Sequence, residues 1–420
     1  MKTLIVGSGG REHALVWKIS QSKRVTKIFA APGNPGMKQL AELVDIKPAS
    51  IIELADFAQE QRIDLTVIGP EQPLGLGIVD EFNNRNLKIF GPTQKAAMIE
   101  TSKSFAKDFM RKNNIPTADF KVINSAAVAL EYFQKAKFPL VIKADGLASG
   151  KGVFICQKKD EADEAIKEVM LEGKFGQSGE RVVIEEFLSG QEMTFMAVCD
   201  GKRIFPLATS MDYKKALEDD KGPNTGGMGA ISPAPQINKD LFNQIMKTII
   251  QPTVSGLKFE NKEYKGLLYA GLMITREGPK VLEFNARFGD PETQVVLMRL
   301  KSDLVDILEG SADENLFDIV ADWDENVSGC VVLAAKGYPQ RYAKGQRIQG
   351  LERAKSLGVE VFHAGTAAGK DGPVSAGGRV LNVCATASSM KEAMDKIYDG
   401  ISFIAFDDMT FRRDIGWNRK

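Results

Sequence analysis

The sequence predicts a chain of several domains that combines α/β with α+β folds, and three observations carry the prediction. Its 420 residues exceed what one hydrophobic core supports, and at about 150 residues per domain roughly three units are expected. The opening stretch alternates β-rich runs with helix-like ones, the rhythm of a parallel sheet covered by helices. Beyond it, strands come as hairpins and pairs between helices and Gly-rich loops, the pattern of α+β lobes.

In the opening unit the runs Thr3 to Val6, Lys27 to Ala31, Leu65 to Ile68 and Leu87 to Phe90 read as strands, and Glu12 to Gln21 and Ser50 to Gln61 read as helices between them. Gly91-Pro92 closes this unit, and Thr93 to Lys112 reads as one helix, broken near Asn113, Asn114 and Pro116. Boundaries follow: a parallel α/β domain over 1–100, a second domain over 101–325 and a third over 326–420. The second opens with a small lobe at about 120–188, containing the strand Leu140 to Ala144, a Gly-rich loop, the charged helix Asp160 to Leu171 and the strand Val182 to Glu185. Glu192 to Val198 and Arg203 to Leu207 make a hairpin across Asp200-Gly201-Lys202. Tyr213 to Pro235 is a Gly/Pro-rich loop, and a loop that long in a compact domain is functional or disordered. A helix capped by Asn238, the strands Gly266 to Thr275 and Lys280 to Phe284, and a helix after Pro291 complete the domain. The third unit carries the strands Gly329 to Ala335 and Arg379 to Ala385 and the helix Ser389 to Tyr398.

Composition narrows the chemistry. With 55 basic against 55 acidic residues, no bulk nucleic-acid binding is expected. No apolar stretch has the length of a signal peptide core or a membrane span, so the cytoplasm is the expected location. Cys156, Cys199, Cys330 and Cys384 stand far apart inside apolar runs, as buried reduced thiols do. Only His13 and His363 occur, which excludes a mechanism built on several imidazoles. Carboxylates, lysines, arginines, backbone amides or a metal must do the work.

Three motifs offer that chemistry. Gly7-Ser8-Gly9-Gly10-Arg11-Glu12-His13-Ala14 is a strand-to-helix turn whose amides suit a phosphate. It is not a dinucleotide fingerprint, since Glu12 holds the third glycine position and no acidic residue ends the second strand at Ala30-Ala31-Pro32. His13 reads as a helix-packing residue. The run Val141 to Val153 delivers Lys143 on a strand and then Lys151 in a glycine loop, two cations suited to a polyphosphate. Gly152 stands where a Walker motif has Ser or Thr. In Leu282 to Glu292, strand alternation points Glu283, Asn285 and Arg287 to one face, with Leu282, Phe284 and Ala286 toward the core. Glu283 and Asn285 offer the hard oxygens that Mg²⁺ takes when phosphates supply the rest, and Arg287 can grip a transferring phosphoryl group or an acyl oxygen.

Together these features resemble the ATP-grasp superfamily, and within it the glycinamide ribonucleotide synthetases, also called phosphoribosylamine-glycine ligases. The resemblance rests on Gly7 to Ala14, Ala31 to Asn34, Ile68 to Leu74, Lys143 to Gly152, Gly222 to Gly229, Glu283 to Glu292, His363 to Thr366, Gly377 to Leu381 and Arg412 to Gly416, which run in family order along the chain. It implies an ATP-grasp fold with an N-terminal Rossmann-like (pre-ATP-grasp) domain and a small C-terminal α+β domain. It also implies a reaction in which ATP phosphorylates the glycine carboxylate and the amine of 5-phosphoribosylamine attacks the acyl phosphate, in purine synthesis. Such a reaction needs positioning and charge neutralisation more than an acid-base pair.

By the family pattern, Lys103 and Lys143 neutralise ATP phosphates under the loop Asp145, Gly146, Ser149, Gly150, Lys151 and Gly152. Glu185, Glu186, Phe187, Leu188 and Glu192 meet adenine and ribose, and Glu283 and Asn285 hold Mg²⁺ or Mn²⁺. Asp212, Asn224, Thr225 and Gly226 clamp glycine, and Asp290 pairs with its ammonium beside the catalytic Arg287 and Lys143. Phosphoribosylamine places its phosphate on Gly9 and Gly10 and its ribose near Glu71, with Arg379 a second phosphate ligand and His363 structural. The partners expected are these small molecules, with no nucleic acid or membrane, acting on a monomer. The alternative is another ATP-grasp carboxylate-amine ligase or a bicarbonate-activating enzyme.

Overall fold

The computed structural model of the chain describes residues 1–147 and 152–417. The first sheet has five parallel strands, in the order Glu42–Leu43, Lys27–Pro32, Lys2–Gly7, Leu65–Ile68 and Ile89–Phe90. Leu4, Ile5 and Val6 are fully buried because helices cover both faces. The strand order reverses at Lys2–Gly7, so the crevice beyond its carboxyl end is flanked by Gly9 and Gly10 on one side and by Glu71 on the other.

The stretch Thr93 to Lys112 is two helices, Gln94–Thr101 and Lys103–Lys112, where one was expected. Ser102 takes extended backbone and its hydroxyl caps the Phe105 N–H, which ends the first helix and starts the second. The small lobe is a four-stranded antiparallel sheet, in the order Phe120–Ile123, Val182–Glu186, Leu140–Ala144 and Val153–Cys156, and its core packs on the helices Ala126–Phe133 and Lys159–Ile166.

The central antiparallel sheet runs Ile204–Pro206, Gln191–Asp200, Lys265–Thr275 and Gly278–Asn285. Here a second expectation is corrected. Gly271 pairs with Glu283 but Leu272 pairs with Val281, so Leu282 is the extra residue of a β-bulge. Val281 and Phe284 therefore fill the core, while Leu282 is only partly buried and turns its carbonyl to Lys143. Glu283 and Asn285 still share a face.

The third sheet is built from distant segments: Met211–Asp212, Gly229–Ser232, Val327–Ala335, Arg379–Ala387 and Glu360–His363, with Met409–Thr410 added to Val327–Ala335. The Tyr213 to Pro235 loop thus contributes strands to two sheets, because it also carries the hairpin Lys215–Leu217 with Lys221–Asn224. Its breakers are turn residues: Asp219, Asp220, Gly222 and Gly227 all take positive φ. A Cβ at Gly229 would stand 2.6 Å from the Cys330 carbonyl, so that glycine permits strand pairing. All four cysteines are buried and unbridged. Among the described residues no helix is long and apolar enough to cross a membrane.

Candidate active site

The cleft between the small lobe and the central sheet is lined by ammonium groups on carboxylate partners. Lys143 reaches from its strand to Glu185 at 2.9 Å and to the Leu282 carbonyl at 2.9 Å, where the bulge exposes it. Lys107 pairs with the other Glu185 oxygen at 3.0 Å. The Glu185 carboxylate is consequently buried between two cations and not open to a ligand. Burial pulls Lys107 down to about 8 and also lowers Lys103, which donates to the Gly146 carbonyl at 2.8 Å. Asp145 caps the Lys103–Lys112 helix by accepting from the Ser104 N–H and hydroxyl, with Arg181 at 3.6 Å. Glu186 is exposed and accepts from the Asp119 N–H, Phe187 is exposed beside it and Leu188 is buried. Gly152 is described, whereas Ser149, Gly150 and Lys151 lie outside the described residues.

Across the cleft stand Glu283 and Asn285. Burial would raise the Glu283 carboxyl, but Lys214, Lys143, Lys103 and Arg287 together hold it below its usual value, so it stays ionised. No group of three His, Cys, Asp or Glu able to hold a metal occurs among the described residues. One ionised carboxylate with one amide oxygen two positions on therefore fits a hard cation that takes most of its oxygens from phosphates. Arg287 follows just past the strand end, pinned by Glu71 at 3.2 Å and Glu100 at 3.3 Å. Glu100 was not foreseen from the sequence. Its second oxygen accepts the Ala286 N–H at 2.6 Å, and burial pushes its carboxyl up to about 7, against the pull of Arg287.

The third side is the turn that follows the hairpin. Thr225 donates its N–H and hydroxyl to the Lys214 carbonyl, both at 2.8 Å. Arg379 donates to the Gly226 and Asp290 carbonyls at 2.7 and 2.6 Å and pairs with the Asp290 carboxylate at 3.1 Å. The Gly226 N–H donates to the Tyr338 hydroxyl, and Asn224 lies on the partly buried strand edge opposite Lys215. Burial would raise Asp290, but Arg379, Arg11 and the Gln294 amide hold it down. Lys214 was also missed by sequence reasoning, although its spacing of two from Asp212 is that of one strand face. Its ammonium is 3.3 Å from Glu192 and 3.9 Å from Glu283, and carboxylates around it hold its proton far more tightly than burial alone would. Burial, Glu292 and Glu192 push Asp212 up to about 7 despite Lys214.

At the strand-order reversal, the Gly9 N–H donates to Glu12 at 2.5 Å, and Glu12 is paired with Arg11. A Cβ at Gly10 would stand 2.1 Å from the Asn382 amide, so this glycine admits the third sheet against the helix N-terminus. Glu71 sits nearby, where burial is outweighed by Arg287 and Arg11, leaving its carboxyl lowered. His13 accepts the His363 N–H, and burial pulls the two imidazoles down to about 3 and about 4. Neither is poised for proton transfer. Three ammonium groups and the Arg287 guanidinium around Glu283 suit transfer of a charged phosphoryl group to a carboxylate.

Comparisons with known proteins agree along the whole chain. Family profiles described as the N domain, the ATP-grasp (A) domain and the C domain of phosphoribosylglycinamide synthetase match residues 1–100, 101–293 and 328–418. A phosphoribosylamine-glycine ligase of Caldanaerobacter subterraneus subsp. tengcongensis is 51% identical over 416 residues, covering 99% of each chain. A crystal structure of the phosphoribosylamine-glycine ligase of Thermotoga maritima superposes with a TM-score of 0.87 at 34% identity, covering 99% of this chain and 100% of that one. A biotin carboxylase from Campylobacter jejuni shares the fold alone, with a TM-score of 0.76 at 14% identity over 99% of this chain and 94% of its own.

Proposed function

The chain belongs to the phosphoribosylglycinamide synthetase family, and on that premise we propose that it ligates glycine to 5-phosphoribosylamine with ATP, yielding glycinamide ribonucleotide, ADP and phosphate in purine synthesis. One glycine carboxylate oxygen bonds to the γ-phosphorus as ADP leaves. The amine nitrogen then bonds to the acyl carbon, phosphate departs, and the nitrogen loses its proton.

The observation that supports this reading is the strand pair Glu283 and Asn285, with Arg287 just past the strand end, set among the Lys214, Lys143 and Lys103 ammonium groups. Lys103 and Lys143 neutralise the phosphates beside Asp145 and Gly146, while the backbone of 185–188 and the Glu192 carboxylate serve base and ribose. Glu283 and Asn285 would hold Mg²⁺ or Mn²⁺, which when bound neutralises charge between phosphate and carboxylate. Asp212, Lys214, Asn224, Thr225 and Gly226 hold glycine, Asp290 takes its ammonium and Arg287 steadies the acyl oxygen. Gly9, Gly10, Glu71 and Arg379 serve the phosphoribosyl group. The protein acts as a cytoplasmic monomer of three domains, over 1–100, 101–325 and 326–420.

ADP release tests the substrates. We expect turnover with glycine plus phosphoribosylamine and none with bicarbonate plus other amines. Turnover with bicarbonate alone would move the chain to the carboxylating branch of the fold.

A further inference from the structure

The motif Arg412-Arg413-Asp414-Ile415-Gly416 touches none of the groups assigned to substrates, yet its bonds converge on one place. Arg412 is 1% exposed, a position a guanidinium holds only when its donors are satisfied. Nε and Nη2 grip both oxygens of Asp414 at 2.7 and 2.6 Å, and Nη1 donates to the Lys215 carbonyl at 3.1 Å and to Asp220 at 3.0 Å. Asp414 also accepts the Asp219 N–H at 3.0 Å, the Arg413 N–H donates to Glu218 at 3.2 Å, and the Gly416 N–H donates to the Tyr213 hydroxyl at 3.0 Å.

Apart from the Arg412–Asp414 pair itself, these attachments fall on residues 213–220, the strand and turn of the small hairpin, while the Tyr398 hydroxyl donates to the Arg412 carbonyl at 3.0 Å and ties the segment to the third unit. Its strands have three and four residues, and a two-stranded hairpin of that size does not hold its shape in water unaided. At the other end, Thr225 is bonded to the Lys214 carbonyl, so the hairpin's position decides where Lys214 and the 224–226 turn meet the cleft. Arg379 holds that turn only from its far side.

We propose that the Arg412–Gly416 segment is a positioning clamp that sets glycine affinity by fixing the hairpin between Lys214 and Thr225. The clamp rests on the assignment of Lys214 and residues 224–226 to glycine. Arg412 and Asp414 act through the hairpin and are positioning residues.

Asp414→Asn keeps the shape and removes the charge, and Arg412→Lys keeps the charge and loses the fork. In both we expect the KM for glycine to rise about tenfold, the scale of one lost charge-assisted bond. The KM values for ATP and phosphoribosylamine should stay within about twofold, and amide hydrogen exchange over 215–224 should quicken. Thr225→Val tests the loop assignment separately and should also raise the glycine KM. If Thr225→Val raises it and Asp414→Asn does not, the clamp is overturned. Equal rises for all three substrates with a fallen Tm would make the segment a general prop and overturn it too. An unchanged glycine KM in Thr225→Val would remove the loop assignment, and the clamp with it.

Discussion

The two walls of the cleft are both dense in charge, but they are held in different ways. The Glu283 wall grows from paired strands of eleven and eight residues in the central sheet, and its Arg287 is pinned by Glu71 and Glu100 from helices beneath. The loop wall is a short hairpin and a turn whose positions come from side chains of the third sheet and of the Arg412–Gly416 segment. On the first wall the charges are set by the fold, so changes there should act on the transition state. On the second the geometry is borrowed, so changes should act on binding.

The largest expected effect breaks the first wall. Glu283→Gln keeps the strand but removes the carboxylate charge that Lys214, Lys143, Lys103 and Arg287 hold ionised. Turnover should fall about 100- to 1,000-fold, the scale of losing one aligned electrostatic partner, with the fold intact. ADP release at saturating substrates and metal measures it. Wild-type turnover would remove the metal assignment and erase the difference between the walls.

Lys214 sharpens the comparison because it belongs to both walls. Its backbone is bonded to Thr225, and its ammonium lies between Glu192 and Glu283. Lys214→Met keeps the length and leaves Asp212, Glu192 and Glu283 facing one another. We expect kcat/KM for glycine to fall about 30-fold, divided between kcat and KM, since losing one partner of a desolvated cluster costs more than the pair contributes. A change in KM alone would assign Lys214 to the loop wall only.

How far each wall was legible in the sequence follows from the same difference. Glu283, Asn285 and Arg287 could be read because strand alternation is a local rule. The bulge at Leu282 could not, since it depends on how Gly271 and Leu272 pair across the sheet. The parallel first sheet was visible in its alternating runs, but the break at Ser102 hides inside a helical pattern and needs a cap to reveal it. On the loop wall, glycine, proline and aspartate signal a turn and a loop equally, so the hairpin at 215–224 read as loop. Lys214 carried a local hint, its spacing from Asp212. Glu100 carried almost none, because Ala286, which it bonds, lies 186 positions away in sequence.

Glu100 also supplies the smallest and most conditional prediction. Burial raises its carboxyl to about 7 from the usual 4.5, opposed by Arg287 and Arg11 and reinforced by Glu71. A carboxyl with a raised folded-state pKa contributes stability that is fully present below the unfolded value, here 4.5, and is lost as pH climbs through about 7. Glu100→Gln keeps an acceptor for the Ala286 N–H but cannot titrate. The Tm of the wild type relative to this variant should therefore decline between pH 4.5 and about 7 and level off above it, by a few degrees at most in a chain of this size, roughly 1 °C per kcal/mol. The kcat should drop by less than about tenfold, because Glu71 still pins Arg287. Thermal melts across that range decide it. A Tm difference flat with pH would mean Glu100 is ionised throughout and the Glu283 wall carries a fixed rather than a titrating anion. A loss of turnover as large as that of Glu283→Gln would make Glu100 as central to the wall as the strand it braces.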